Sequence, residues 1–468
     1  MLDDKELIED AIDVNEESKR LGGLSPFMTI FVLSLGPLIS QLSSSYYSIM
    51  DTKMVSEALG TKALSAIGLA FIPQYIVHGF GLFIYVSITV KISYLHGKKA
   101  SGSIFEVVID VFKLCLCLAI LVPILILPLS FPIIKWLGAS TETTWRSLSY
   151  LYPITFGFIF TALFNLLLGV LQANGLSVQF GIVNLITNLI KICVCNPIFL
   201  NRLKFDVYGS SLSVIVAEML VIPFIFLYSR KKGIIPQNFN YFGNLLSFSS
   251  ESKSAIRTGF SALIIQVALT IPSGIIQKLL SLSSHSIGVS TEVMGVWHIM
   301  ARVYHIVTSV TSAFVSGFLP AASFAFGSED YSRLGTLFLI TNVLGIIWSG
   351  TTGAIFAFAP EKACALWTKD HTLSNWIIKM VPPSVYTAFL TPVRACVSGL
   401  LQSMKQPNKA SWLNLVGQLV LVPLIGALIY ISNSKSPEAI TWSYVWSDSL
   451  TFLLALVFLV DPLRKILS

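Results

Sequence analysis

The strongest constraint on this chain is a rhythm: apolar stretches longer than twenty residues recur from residue 26 to residue 461 with short polar breaks between them. They fall at about 26 to 52, 63 to 92, 104 to 134, 146 to 171, 177 to 200 and 208 to 229, then at 256 to 281, 291 to 320, 334 to 358, 376 to 403, 409 to 431 and 440 to 461. A hydrocarbon core about 30 Å thick is crossed by about 20 apolar residues in helical form. Lipid offers no partner to an exposed peptide group, so runs of this length are read as helices. The expected fold is all-α and integral to the membrane, with twelve transmembrane helices. The runs are continuous rather than alternating, which excludes an outer-membrane barrel. Only 12% of residues are charged against 54% hydrophobic, roughly half the charge of a soluble domain. Soluble enzymes, nucleic-acid binders and disulfide-stapled secreted scaffolds are excluded on that ground.

The net charge of +7 is unevenly spread. Residues 1 to 24 hold eight acids (Asp3, Asp4, Glu6, Glu9, Asp10, Asp13, Glu16 and Glu17) against Lys5, Lys19 and Arg20, so the rest of the chain carries +12. This acidic segment has neither the basic start nor the early apolar core of a cleavable signal, and the first helix is expected to act as an uncleaved anchor. Basic residues are retained on the cytosolic side of a membrane. With the N-terminus inside, the inner loops and tails hold sixteen Lys and Arg and the outer loops nine. Both termini are therefore expected to be cytosolic, in the plasma membrane, and the positive charge reads as an orientation signal with no nucleic-acid partner.

The longest polar break, 230 to 257, begins Arg230, Lys231, Lys232, Gly233 and divides the helices six and six. The expected organisation is a tail (1–24), an N-lobe (25–229), a cytosolic linker (230–257), a C-lobe (258–461) and a C-terminal tail (462–468). An offset of 230 aligns Ser93 with Ser323, Gly97 with Gly327, Pro153 with Pro383, Thr161 with Thr391, Gly169 with Gly399, Gln172 with Gln402 and Asn184 with Asn414. Six helices per half returns the chain to its starting side, so the duplication is parallel. Two pseudo-symmetric six-helix bundles around a central cleft, rocking to open it on alternate sides, are the frame of a secondary transporter. No phosphate-binding loop of the G-x-x-x-x-G-K-[ST] type is present to drive a pump, and no cofactor is expected.

Ion coupling asks for an ionisable group at depth, which is costly in hydrocarbon. On the first helix Ser40, Ser44, Tyr47 and Asp51 form one stripe, and Pro37 just before it cannot bond the Leu33 carbonyl and permits a bend. Asp51 can load and release a proton, or hold Na⁺ with oxygen ligands. The competing reading places it at the outer interface, solvated or paired with Lys53 or Lys62. Elsewhere, Asp110 and Lys113 are expected to pair locally, and Glu218 and Asp448 are secondary candidates. His78, His298 and His305 lack ligand spacing within a helix.

The run from Tyr47 through Asp51 and Thr52, followed by Gly60 and by Ala63 to Ala70, resembles the first-helix signature of multidrug and toxic compound extrusion (MATE) transporters, within the MOP flippase superfamily. Gly79 with Gly81, Leu171 to Gly175, and Val207 to Leu212 are similar in position, so the resemblance spans about residues 26 to 455. It implies a proton- or sodium-coupled antiporter of amphipathic, often cationic, organic compounds, not an enzyme, working as a monomer in the bilayer. It carries the coupling site onto Asp51, with Tyr150 as neighbour and Asn188 and Asn196 on helix five, although the family's usual polar residue before Asn196 is Ile192 here. The glutamate that many members place in helix seven is absent: the comparable position is near Leu269, flanked by Gln266 and Thr270. Lys191 continues the face marked by Asn184 and Asn188 and is a candidate counter-ion for Asp51. Gln41, Tyr75, Gln266, Arg302 and Arg394 are cleft candidates, and the two arginines lie at depth with few acids in view. If both face the cleft, the alternative is an exporter of anionic or zwitterionic solutes, or a flippase for lipid-linked oligosaccharides.

Overall fold

The computed structural model describes residues 18–100, 102–235, 247–365 and 371–467. Most of the acidic tail, the middle of the 230–257 linker and Ser468 lie outside these residues. No strand occurs among the described residues. The spanning helices are α1 (Pro26–Leu59), α2 (Phe71–Gly97), α3 (Gly102–Trp136), α4 (Thr141–Phe156 with Phe158–Ala173), α5 (Ser177–Arg202), α6 (Val207–Lys231), α7 (Ser250–Ser286), α8 (Ser290–Gly327), α9 (Tyr331–Phe358), α10 (Thr372–Ser403) and α11 (Pro407–Ser432). A final helix, α12 (Trp442–Leu467), stands where the twelfth span is predicted. By length and hydropathy ten of these helices can cross a membrane, and the bent α4 makes eleven.

The breaks depart from the uninterrupted helices that the apolar runs predict. Thr61–Leu69 is a separate short helix ahead of α2, because the Pro73 ring excludes a helical carbonyl at Leu69. The two halves of α4 meet at 52° around Gly157, four residues after Pro153. A break at the equivalent place, after Pro382 and Pro383, interrupts α10 around Thr387. Duplication is therefore written in backbone as well as in sequence. Lys99 (φ 56°) and Glu329 (φ 60°), 230 apart, follow the ends of α2 and α8. Gly175 (φ 71°) and Lys405 (φ 59°), also 230 apart, follow the ends of α4 and α10. Left-handed residues stop helices in this way.

The chain divides into two compact units, Met1–Leu263 with Ser316–Leu334, and Ile264–Val315 with Gly335–Ser468. In unit 1, α1 packs on α5 and α2 on the second half of α4. Repeat-equivalent Gly97 and Gly327 meet there: a Cβ on Gly327 would come 3.3 Å from the Gly97 Cα and would overlap the Tyr94 carbonyl. Lys91 pairs with Glu251, and Lys113 with Asp110 at 3.0 Å as its spacing predicts. Unit 2 closes around Ile276, Leu280, Val296, Val303, Met380 and Val385.

The missing bond at Pro37 is made good across helices. The Leu33 carbonyl accepts from Ser177 Oγ at 2.7 Å and from Gln172 Nε2 at 3.1 Å. The Gly36 N–H donates to the same Ser177 Oγ at 3.2 Å. One hydroxyl thus serves both sides of the proline defect. Ser177→Ala is expected to cost about 2 kcal/mol, the penalty for orphaned buried polar groups, read as a lower unfolding midpoint in detergent. An unchanged midpoint would count against this carbonyl as a stabilising contact.

Candidate functional site

The polar stripe of α1 meets α5 inside unit 1, beginning at the small residues. Gly181 packs on Gly36, and a Cβ on it would lie 2.8 Å from the Gly36 Cα and carbonyl oxygen. That close approach aligns the two helices, and their polar side chains then pair one after another. Asn188 Nδ2 donates to Ser43 Oγ at 3.0 Å and to Ser44 Oγ at 3.3 Å. Below it α5 changes pitch: Lys191–Cys195 and Pro197–Arg202 are wound as π-helix. The Asn196 N–H bonds the Lys191 carbonyl five residues back, so those two side chains share a face that an α-helix would give to residues four apart. The five-residue spacing of Lys191 and Asn196, an irregularity in sequence, is what this winding needs.

Asp51 of α1 is held by two further helices, α5 and α6. Asn196 Nδ2 donates to its Oδ1 at 2.8 Å, and Ser210 Oγ of α6 lies 3.1 and 3.3 Å from the two carboxylate oxygens. Tyr47 and Tyr150 stand close enough to interact with it. Lys191 Nζ sits over the Tyr47 ring, 5.2 Å from its centroid. On α6, Glu218 accepts from Thr161 Oγ1 at 2.6 Å, and it faces Lys191 as Asp51 does. Lys53 instead pairs with Glu57 at 3.9 Å on the surface.

The arrangement is two carboxyl groups around one ammonium. Among the described residues Lys191 makes no direct ion pair with either acid, so it serves both through space. With all three ionised the cluster carries a formal charge of −1, and uptake of one monovalent cation neutralises it. Asn196 Oδ1 is buried with no hydrogen-bond partner, while its Nδ2 is the atom that faces Asp51. No group of three or more His, Cys, Asp and Glu able to hold a metal occurs among the described residues.

Tyr47, Asp51, Tyr150, Asn188, Lys191 and Asn196 are thus brought together in one unit. Gln41 is half-buried on α1, and Tyr75 is exposed on α2. Gln266 donates to Thr270 Oγ1 at 3.2 Å. Arg302 is exposed on α8, while Arg394 is buried and its Nη1 donates to Asn414 Oδ1 at 2.7 Å. Arg394, expected to have few acids nearby, has Asp448 of α12 within its field, with Tyr304 of α8 alongside. Those residues are far apart in sequence, and the helix packing of unit 2 joins them. Ser210, Thr161 and the alliance of Glu218 with Lys191 also escape sequence reasoning. A signal for Glu218 exists, since it lies 230 residues before Asp448.

The family model for MatE matches residues 37–196 and 263–427. No curated protein matches the chain in sequence. Three solved structures share its fold at 18% identity. A MOP superfamily transporter from Pyrococcus furiosus Vc1, described as having a binding pocket of reverse polarity that suggests a different function, aligns over 96% of this chain and 97% of its own, with a TM-score of 0.84. The outward-facing form of a multidrug resistance MATE family transporter aligns over 95% and 96%, with a TM-score of 0.82. MATE in its bent conformation aligns over 97% of both chains, also at 0.82. The twelve-helix, two-bundle fold read from the duplication is the fold of these transporters. With matched segments in both halves and most of its length covered, the chain belongs to the MatE family of multi-pass membrane transporters and is not an enzyme.

Proposed function

We propose that this transporter exports organic, often cationic, compounds in exchange for protons, by alternating access in the plasma membrane, with both termini cytosolic and as a monomer. The observation that carries the reading is the charge count around Asp51: two carboxyl groups share one lysine, so the site gains neutrality with a single monovalent cation. Protonation of Asp51 releases Asn196 and Ser210 from their anionic acceptor and alters how α1 is tied to α5 and α6. Lys191 supports a proton over Na⁺: the ammonium on the Tyr47 ring opposes both cations, but a proton binds covalently to one carboxylate oxygen, whereas Na⁺ must hold a whole shell of ligands against that repulsion.

Ethidium efflux from proteoliposomes with imposed pH or Na⁺ gradients tests this. Efflux that follows the pH gradient and ignores Na⁺ is expected, and the reverse dependence would reject proton coupling. Lys191→Ala is expected to displace the pH profile of efflux, since it removes the charge common to both acids. An unchanged profile would rule out the pairing of Lys191 with Asp51.

A second reading draws on Arg302, a cation exposed on α8, which suits anionic or zwitterionic solutes or the phosphate of a lipid-linked oligosaccharide. Lipid scrambling by the same liposomes without ethidium efflux would favour it.

A further inference from the structure

Unit 2 holds a polar cluster that the coupling site in unit 1 does not use, with Thr387, Arg394, Asn414 and Gln418 buried and Asp448 half-buried. Asp448 of α12 accepts from Thr387 Oγ1 at 3.1 Å, at the break in α10. The Gln418 amide, in the π-wound Leu415–Val420 of α11, faces the same carboxyl group. Arg394 of α10, 7% exposed, reaches Asn414 through Nη1, and Asn414 Nδ2 passes the connection to Ser398 Oγ at 2.7 Å. The Nε of Arg394 is buried without a hydrogen-bond partner. Among the described residues Arg394 and Asp448 form no direct ion pair, yet each lies in the other's field. The titratable or charged groups that face Asp448 are Arg394, Tyr304 of α8 and Tyr444 of its own helix. The side chains that α11 presents there, Asn414 and Gln418, are neutral.

The duplication gives this cluster its meaning. At an offset of 230, Asp448 falls on Glu218, Gln418 on Asn188 and Asn414 on Asn184. Each half therefore places a carboxyl group on its last helix and amides on its next-to-last, with a π-helical segment in that same amide-bearing helix. The basic partner comes from different helices, α5 for Lys191 and α10 for Arg394, so it is no relic of the common ancestor of the halves. Arginine keeps its charge at every physiological pH. Beside it a metal cation is repelled, whereas a proton on the neighbouring carboxyl group is tolerated.

We propose that Asp448 is a second proton-binding carboxyl group, with Arg394 as its fixed counter-ion, so that each half of the transporter carries its own protonation site. The proposal deepens the proton-coupled reading but rests on different residues. It also gives unit 2 an acid in place of the one missing from helix seven.

Infrared difference spectra of the reconstituted protein between acidic and alkaline buffer report carboxyl protonation without any substrate. Wild type is expected to show a protonated-carboxyl component that Asp448→Asn removes and that Asp448→Glu retains at a displaced frequency. Arg394→Gln should move the pH at which this component titrates by about one unit or more, which a purely structural arginine would not do. Asp51→Asn should remove a separate component. An Asp448→Asn spectrum that superimposes on wild type, or an Arg394→Gln midpoint that stays in place, overturns the proposal. If Asp448→Asn does not fold, loss of the component in Asp448→Glu overturns it equally. Absence of the Asp51 component with the Asp448 component present would defeat the unit 1 reading and leave this one standing.

Discussion

Asp51→Asn is expected to lower proton-driven ethidium efflux at least about tenfold, equivalent to about 1.4 kcal/mol of lost driving interaction, while the protein still folds. Asparagine keeps the size of the side chain and can still accept from Asn196 and Ser210, whose donors lie 2.8 and 3.1 Å from Oδ1. What it cannot do is change charge. The cluster is then left with Glu218 and Lys191, one acid and one base, and has no net charge for an incoming cation to neutralise. Stalled coupling with retained binding of ethidium, measured by fluorescence on the same preparation, is the expected pattern. Wild-type efflux by the variant would remove Asp51 from the mechanism. Loss of binding together with efflux would instead make it a substrate ligand.

The second large effect concerns the floor on which the site is built. Gly36→Val is expected to destabilise the protein by about 3 kcal/mol, the upper end of ordinary overpacking penalties, seen as a lower midpoint in thermal unfolding and poor recovery from detergent. A Cβ at position 36 overlaps the backbone carbonyl of Ser177, and Gly181 approaches Gly36 from the same side. Backbone cannot move aside as a flexible side chain can, so α1 and α5 must separate. Separation also breaks the Ser177 bonds to the Leu33 carbonyl and the Gly36 N–H, and it draws Asn188 and Asn196 away from α1. An unchanged midpoint would show that the close approach of these helices is dispensable.

Much of the architecture was legible in the chain, and the reasons are physical. Hydrophobic length decides whether a segment spans a membrane, because unpaired peptide groups are intolerable in lipid, and length is a local property of sequence. The predicted spans accordingly fall on helices, apart from the breaks inside the runs at 63 to 92, 146 to 171 and 376 to 403. The breaks were less legible: Pro153 and Pro73 each sit in an apolar run, and whether a proline bends, ends or merely notches a helix depends on what satisfies the freed carbonyl. At Pro37 the Leu33 carbonyl finds Ser177 and Gln172, and the helix continues. The winding of α5 was illegible for the same reason, since a π-turn is chosen when side chains across the helix favour it, as Asp51 does for Asn196.

The candidate site divides along the same line. Asp51, Tyr47 and the amides of α5 could be read from spacing and resemblance, because a stripe along one helix is set by a fixed period. The sharing of Lys191 between Asp51 and Glu218, and of one polar cluster by Arg394, Asp448 and Tyr304, could not. The titratable groups that gather in space are 27 to 167 residues apart in the chain for the first trio and 54 to 144 apart for the second. By itself the sequence determined the helical membrane fold, its duplication and the acid on the first helix. The tertiary structure decided which base answers which acid, because buried charges are placed by the helices that enclose them, and that enclosure is a property of packing that no local pattern encodes.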